Sequence, residues 1–354
     1  FGRPDLVTRP AEENFLQLLA DRSSGEIAAL HRLRSWMRDE HRSLKLVFEA
    51  RRSSHVRECH GDLHLGNMIL RDDGSIAIFD CIEFNEDLRW IDVLNDVAFC
   101  AMDLTKRGRS DLAYPFLNGY LEQTGDYAGL AVLPYYLVYR ATVRAKIAWL
   151  QFRKSSGKEK SEAQKRSSDY LKLAEAYAFR RQPELTIMHG VSASGKSFGS
   201  RELVKHTGAI RIRSDLERKR IARETGAHEL YTPEMSRRTY DRLHGFATKG
   251  LQAGFPIILD ATYLREAERS KARALAAQFD VPCRIVNVTA KEATLRTRIR
   301  KRQEKADEPS DATSEILEQQ LASRDPLSPT ERGITVDVDT DQPDCWARTI
   351  QARW

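Results

Sequence analysis

The run "LTIMHGVSASGKS", residues 185–197, constrains this chain more than any other stretch. An apolar segment leads straight into Gly190, and after four intervening residues Gly195, Lys196 and Ser197 complete the spacing G-x-x-x-x-G-K-S. A sharp strand-to-helix turn puts these residue types to use. Glycines let successive backbone N–H groups curl around an anion, the lysine reaches the outer phosphates, and the serine hydroxyl is available to Mg²⁺. The spacing predicts a strand, a phosphate-binding loop and a helix. Gly190, Ser194, Gly195, Lys196 and Ser197 are then the expected nucleotide contacts, with Ser197 also a metal ligand.

The flanking pattern agrees. "AIRIRSD" (209–215), "PIILDAT" (256–262) and "CRIVNVT" (283–289) are short β-rich apolar runs, each followed by a helix-like segment. Strands alternating with helices imply a parallel sheet. Asp215 and Asp260 end two of these runs, and ligands of such sheets bind beyond the carboxyl ends of the strands. Asp260 suits the water shell of Mg²⁺, and Asp215 suits taking the proton from an acceptor hydroxyl. Either position also suits an ordinary helix cap. Farther on, "LRTRIRKR" (295–302) spaces Arg296, Arg298, Arg300 and Arg302 two apart on a helix, so they do not share one face. One or two are expected to meet phosphate charge.

The set "GVSASGKS", "RSDLERKR", "ILDAT", "LRTRIRKR" and "SDAT" resembles the P-loop kinase module of the predicted-kinase group related to gluconate kinase, polynucleotide kinase and zeta-toxin-type enzymes, over roughly residues 183–354. The resemblance implies ATP and Mg²⁺ as cofactors. It also implies Asp215 as the hydroxyl-activating base, Arg218 as a grip on substrate or phosphate, and Arg298 and Arg302 as lid contacts to the nucleotide.

A second motif lies upstream. In "HGDLHLGN" (60–67), Asp62 and Asn67 keep the D-x-x-x-x-N spacing of a kinase catalytic loop, and Asp80 closes the alternating run "SIAIFD" (75–80) where a metal-binding aspartate would stand. Asp62 would orient an acceptor hydroxyl, while Asn67 and Asp80 would hold Mg²⁺. His60, Gly61, Asp62, His64 and Asn67 match the H-G-D-x-H-x-x-N pattern, and "IEFNEDLRWIDVLNDVAF" (82–99) continues a resemblance to the aminoglycoside phosphotransferase family over about residues 10–178. His60 and His64 are read as loop-shaping, because no cysteine or third histidine has metal-site spacing. Residues 1–59 show helical periodicity and lack the Gly-rich loop, strand lysine and helix glutamate of a nucleotide lobe. The expectation is an N-terminally truncated chain whose first domain is catalytically silent. The whole looks like the two-part proteins that join an aminoglycoside phosphotransferase-like domain to an ATP-binding one.

The expected fold is therefore multidomain: an α-rich, protein-kinase-like C-lobe over 1–178, a linker at 179–182, and an α/β P-loop kinase domain with a parallel sheet over 183–354. Residues 153–169, polar and charged, read as an exposed loop or linker.

Bulk properties narrow the function classes. The net charge is +6 and the five cysteines are scattered, which suggests neither a disulfide framework nor a zinc site and favours a reducing cytoplasm. No apolar run approaches the roughly 20 residues that span a bilayer. The leading expectation is a kinase moving the ATP γ-phosphate to a hydroxyl of a small molecule whose identity the sequence does not reveal. The alternative is a nucleotide-gated binding protein, a slow ATPase on a pseudokinase scaffold. A polynucleotide 5′-kinase ranks third, since the basic segment 211–246 has only Tyr231, Tyr240 and Phe246 for stacking on bases.

Overall fold

The computed structural model describes residues 1–20, 22, 24–179, 183–303 and 313–354. It resolves into two compact units, Phe1–Leu117 with Gly129–Arg181, and Asn118–Ala128 with Gln182–Trp354. No helix among the described residues is long and apolar enough to cross a membrane.

The first unit is mainly helical. Helices α1 (Pro4–Leu19) and α2 (Ser24–His55) follow the three-to-four spacing of their apolar residues, and Phe15, Leu18, Leu30, Leu33 and Met37 are all buried. Two small antiparallel pairs follow. Strand β1 (Val56–Glu58) pairs with β4 (Trp90–Asp92), and β2 (Met68–Leu70) pairs with β3 (Ile76–Ile78) as a hairpin. A short helix α3 (Glu86–Arg89) precedes β4, and α4 (Val93–Lys106), α5 (Ser110–Thr124) and α6 (Leu133–Lys154) come after it. From Asn118 onward, α5 clusters with the second unit.

One expectation is corrected here. Most of the stretch read as an exposed loop at 153–169 lies in α7 (Gly157–Phe179). Its buried stripe is Ala163, Ser167, Tyr170, Leu171, Ala174 and Ala178, which keeps helical spacing with mostly small side chains. Small residues give a weak hydrophobic signal, while the Lys, Glu and Gln between them are good helix formers.

The second unit is built on a five-stranded, fully parallel sheet with strand order β6-β7-β5-β8-β9. The strands are β5 (Leu185–His189), β6 (Ile210–Arg213), β7 (Ile257–Asp260), β8 (Cys283–Thr289) and β9 (Thr335–Asp339). Every residue of the central β5 is buried, as a strand covered on both faces requires. The edge strand β9 buries only Val336 and Val338, and its alternating aspartates hid it from a search for apolar runs. The helices are α8 (Lys196–Thr207), α9 (Ser214–Thr225), α10 (Pro233–Gln252), α11 (Glu266–Gln278), α12 (Glu292–Gln303), α13 (Ser314–Ser323), α14 (Pro329–Arg332) and α15 (Cys345–Arg353).

A buried ion pair fastens the chain that follows α13. Arg269 and Glu331 both have fully buried side chains and meet at 2.8 Å. The remaining guanidinium donors reach the carbonyls of Tyr263 (3.2 Å), Leu264 (3.0 Å) and Pro326 (2.9 Å). The pair thus ties the segment beyond β7 to the segment beyond α13. Breaking such a pair strands a charge in a dry environment. Arg269→Met is expected to lower the stability of the second unit by about 3–5 kcal/mol, seen as an earlier urea transition; an unchanged midpoint would show that the pair carries no such load.

Candidate active site

The phosphate loop runs from the end of β5 into α8. Its backbone takes positive φ at Gly190 (140°), Ala193 (62°) and Gly195 (104°). A Cβ on Gly190 would stand 2.4 Å from the Val288 carbonyl oxygen, so only glycine fits against β8 there. Gly195 caps α8 and Lys196 opens it, which places the helix N-terminus behind the loop. Lys196 is only 8% exposed, and its Nζ donates to the Val191 carbonyl at 2.7 Å. Ser197 is exposed on the next position.

Ser192, Ala193, Gly195, Lys196 and Ser197 line a cavity of about 220 Å³ whose other walls include Arg213, Asp215, Arg218, Tyr231, Asp260 and Gln320. Asp260 is buried at the end of β7 and accepts from Ser200 Oγ at 2.8 Å. Ser200 Oγ in turn lies 3.3 Å from Arg211 Nη1. Asp215, in the first turn of α9, meets Arg218 Nη1 at 3.3 Å. Burial pushes the Asp215 carboxyl above its ordinary range; Arg218 pulls it back, and the neighbouring Asp260 charge adds to the rise. Arg218 also sits over the Tyr231 ring at 4.9 Å, and its Nε is buried with no hydrogen-bond partner among the described residues.

The structure therefore brings Gly195, Lys196, Ser197, Asp215, Arg218 and Asp260 to one cavity. Ser194 differs: its side chain is fully buried, its Oγ has no hydrogen-bond partner among the described residues, and only its backbone is available to a ligand. Arg298 is tied to the loop, donating to the carbonyls of Ala193 (3.2 Å) and Ser194 (3.3 Å) and to Thr340 Oγ1 (2.9 Å). The Arg302 side chain, and all of "SDAT" except Thr313, lie outside the described residues. Gln320, Ser236 and Thr262 also line the cavity and were missed by sequence reasoning, while Tyr231 and Tyr240, named there only as residues for base stacking, line it as well. Thr262 follows the Asp260 strand end and was open to inference; nothing in "SEILEQQLAS" marks Gln320.

In the first unit the loop 60–67 is held from two helices, α4 and α6. Asp96 accepts from the backbone N–H of His60 (2.8 Å) and of Gly61 (3.1 Å), and Asp103, two turns later on α4, accepts from Leu65 N (3.0 Å). Arg140 of α6 donates to the Gly61 carbonyl at 2.8 Å and to Asn95 Oδ1 at 2.6 Å. Asn67 Nδ2 reaches Asp62 Oδ2 at 3.1 Å, and His64 Nε2 stands 3.3 Å from the same oxygen. Burial works against the Asp62 carboxylate, but His64, Arg140 and Asn67 outweigh it and hold the carboxyl below its usual range. Asp80 is exposed with φ 60°, and its neighbour Phe79 donates from its N–H to the Asn67 carbonyl at 3.1 Å. His60 and His64 each accept a loop amide, from Asp62 N at 3.3 Å and Gly66 N at 3.0 Å.

The two regions match two families. Residues 3–133 match the model of the phosphotransferase enzyme family, and residues 185–327 match that of the AAA domain. Uncharacterized proteins of Mycobacterium tuberculosis and Mycobacterium bovis are 35% identical over 226 residues, which is 62% of this chain and 44% of each relative. The match thus spans less than half the length of these curated relatives. Among solved structures, a gluconokinase from Sinorhizobium meliloti 1021 aligns at 22% identity and TM-score 0.37, covering 49% of this chain and 90% of its own. The Mycobacterium tuberculosis APS kinase in complex with AMPPNP and APS aligns at 16% identity and TM-score 0.35, covering 49% and 96%. The chain thus joins an α-rich region that matches the phosphotransferase enzyme family model to an α/β domain that matches the AAA domain model.

The raised Asp215 carboxyl has a consequence for stability. Folding favours its protonated form, so below the ordinary carboxylate range the group costs nothing. The cost grows as pH rises through that range and is complete above the raised value. Asp215→Asn is expected to raise the melting temperature near neutral pH and to lose that gain in acid. Equal melting temperatures at both pH values would remove the burial argument.

Proposed function

We propose that the second unit is an ATP-dependent phosphotransferase that moves the γ-phosphoryl group of Mg²⁺-ATP to a hydroxyl of a small molecule. The observation that carries this reading is the convergence, in one cavity, of the phosphate-loop Lys196 with the Asp215 and Asp260 carboxylates and Arg218. A base that accepts a hydroxyl proton as the oxygen attacks works best when its pKa moves toward neutrality. Bound Mg²⁺-ATP supplies the transferable group. The residues present fit it: the loop amides and the α8 N-terminus favour anionic oxygens, and Ser197 with Asp260 offers hard oxygen ligands to Mg²⁺.

Lys196 holds the outer phosphates and offsets their charge as it spreads during transfer. Asp215 takes the acceptor proton, and Arg218, with one buried donor that has no partner among the described residues, grips the acceptor or the phosphoryl oxygens. Arg298 acts through the loop, fixing its outer carbonyls; we assign Arg302 to the nucleotide on resemblance alone. In the first unit we assign Asp62 the hydroxyl-orienting position and Asn67 and Asp80 the metal-holding ones, on the same kind of ground. The free cysteines among the described residues fit a cytoplasmic protein.

The test is ADP release from Mg²⁺-ATP with pooled sugars, nucleosides, aminoglycosides and 5′-hydroxyl oligonucleotides as acceptors. One pool should stimulate release, and Lys196→Ala should abolish it. Asp215→Ala should still bind ATP but transfer about 10²–10⁴-fold more slowly. Transfer at wild-type rate in Asp215→Ala would remove the base assignment. Stimulation by oligonucleotides alone would shift the reading to a nucleic-acid kinase.

A further inference from the structure

The cavity wall holds a side chain that the proposed chemistry does not yet use. Gln320 of α13 accepts a hydrogen bond from the Ser192 backbone N–H at 2.7 Å. A backbone N–H only donates, so the atom facing Ser192 is the amide oxygen Oε1. The amide nitrogen is the other arm of the same planar group. Nε2 has no hydrogen-bond partner among the described residues, and Gln320 lines the cavity together with Lys196, Asp215 and Asp260.

The arm is also held in place. Leu317, one helical turn before Gln320, is fully buried in a cluster with Val191 and Ala193 of the phosphate loop and with Leu295 and Ile299 of α12; Leu321 packs on the same cluster. The helix that carries Gln320 is thus anchored to the loop by apolar contact on either side of it in sequence. With its oxygen fixed on Ser192, the rotation of the amide is restricted, so a donor is presented at little further entropy cost.

We propose that Gln320 reads the third phosphate of the bound nucleotide: Oε1 fixes Ser192 at the front of the phosphate loop, and Nε2 donates to an oxygen of the γ-phosphoryl group. This rests on the phosphotransfer reading above and adds a residue that distinguishes ATP from ADP. A donor at this position is met only by a γ-phosphoryl oxygen, which ADP lacks, so it adds a contact for ATP alone.

Gln320→Glu provides the test because it is nearly isosteric and keeps an oxygen for Ser192 while replacing the donor with negative charge. ADP and a non-hydrolysable ATP analogue, each with Mg²⁺, are titrated calorimetrically near pH 7.5 into wild type and variant. The expected result is ADP affinity within about twofold and analogue affinity reduced about tenfold or more, the loss of a charge-assisted hydrogen bond. Equal weakening of both nucleotides would overturn the proposal and leave Gln320 a loop-shaping residue. Unchanged affinity for the analogue would overturn it as well. Tighter analogue binding would overturn it by showing that Gln320 occupies the phosphate position as a latch. If wild type binds neither nucleotide, the phosphotransfer reading itself fails and takes this inference with it.

Discussion

A lysine ammonium enclosed by a turn of backbone is the constraint on which the second unit depends. Lys196 is almost fully buried, and a buried cation is costly unless oxygen atoms surround it. The protein supplies the Val191 carbonyl directly and the Asp215 and Asp260 carboxylates nearby in the cavity. For the loop to close around that lysine, Gly190 must lie against β8 where no side chain fits, and β5 must be central in the sheet. The parallel order then delivers the ends of β6 and β7, with Asp215 and Asp260, to the same edge as the loop. One electrostatic requirement thus selects the turn, and the turn selects the topology around it.

Each unit holds its polar loop by groups set outside the motif. In the first, two buried aspartates two turns apart on α4 accept loop amides, and Arg140 donates to a loop carbonyl. In the second, Arg298 binds the loop carbonyls and Gln320 binds a loop amide. The division of labour is the same in both. In both loops the backbone is held by side chains from helices distant in sequence. A loop left to water would sample many conformations, and fixing it in advance lets binding energy go to the ligand.

The sequence made the motifs and the strand ends legible because both follow from local rules. Glycine, lysine and serine at fixed spacing imply a phosphate loop, and an aspartate closing a β-rich run implies a position at the sheet edge. The cavity accordingly contains Lys196, Ser197, Asp215, Arg218 and Asp260 together. What escaped was weakly patterned. Helix α7 buries a stripe of mostly small residues, and β9 alternates valine with aspartate, so neither resembles a hydrophobic run. Asp96 and Asp103 carry no local signal of their loop partners, which lie 36 and 38 residues away in sequence.

By itself, then, the sequence determined the α-rich and α/β halves, the glycine-rich turn between β5 and α8, and the residue types that meet beside it. Those properties depend on contacts within a few residues or on periodicity along one element. Only the tertiary structure decided that the Asp215 carboxyl is pushed upward, that the Ser194 hydroxyl is turned inward, that Arg298 serves the loop backbone, and that Gln320 reaches Ser192 across 128 residues of chain. The physical reason is that proton affinity and donor availability are set by what surrounds a side chain in space, and residues far apart in sequence supply those surroundings.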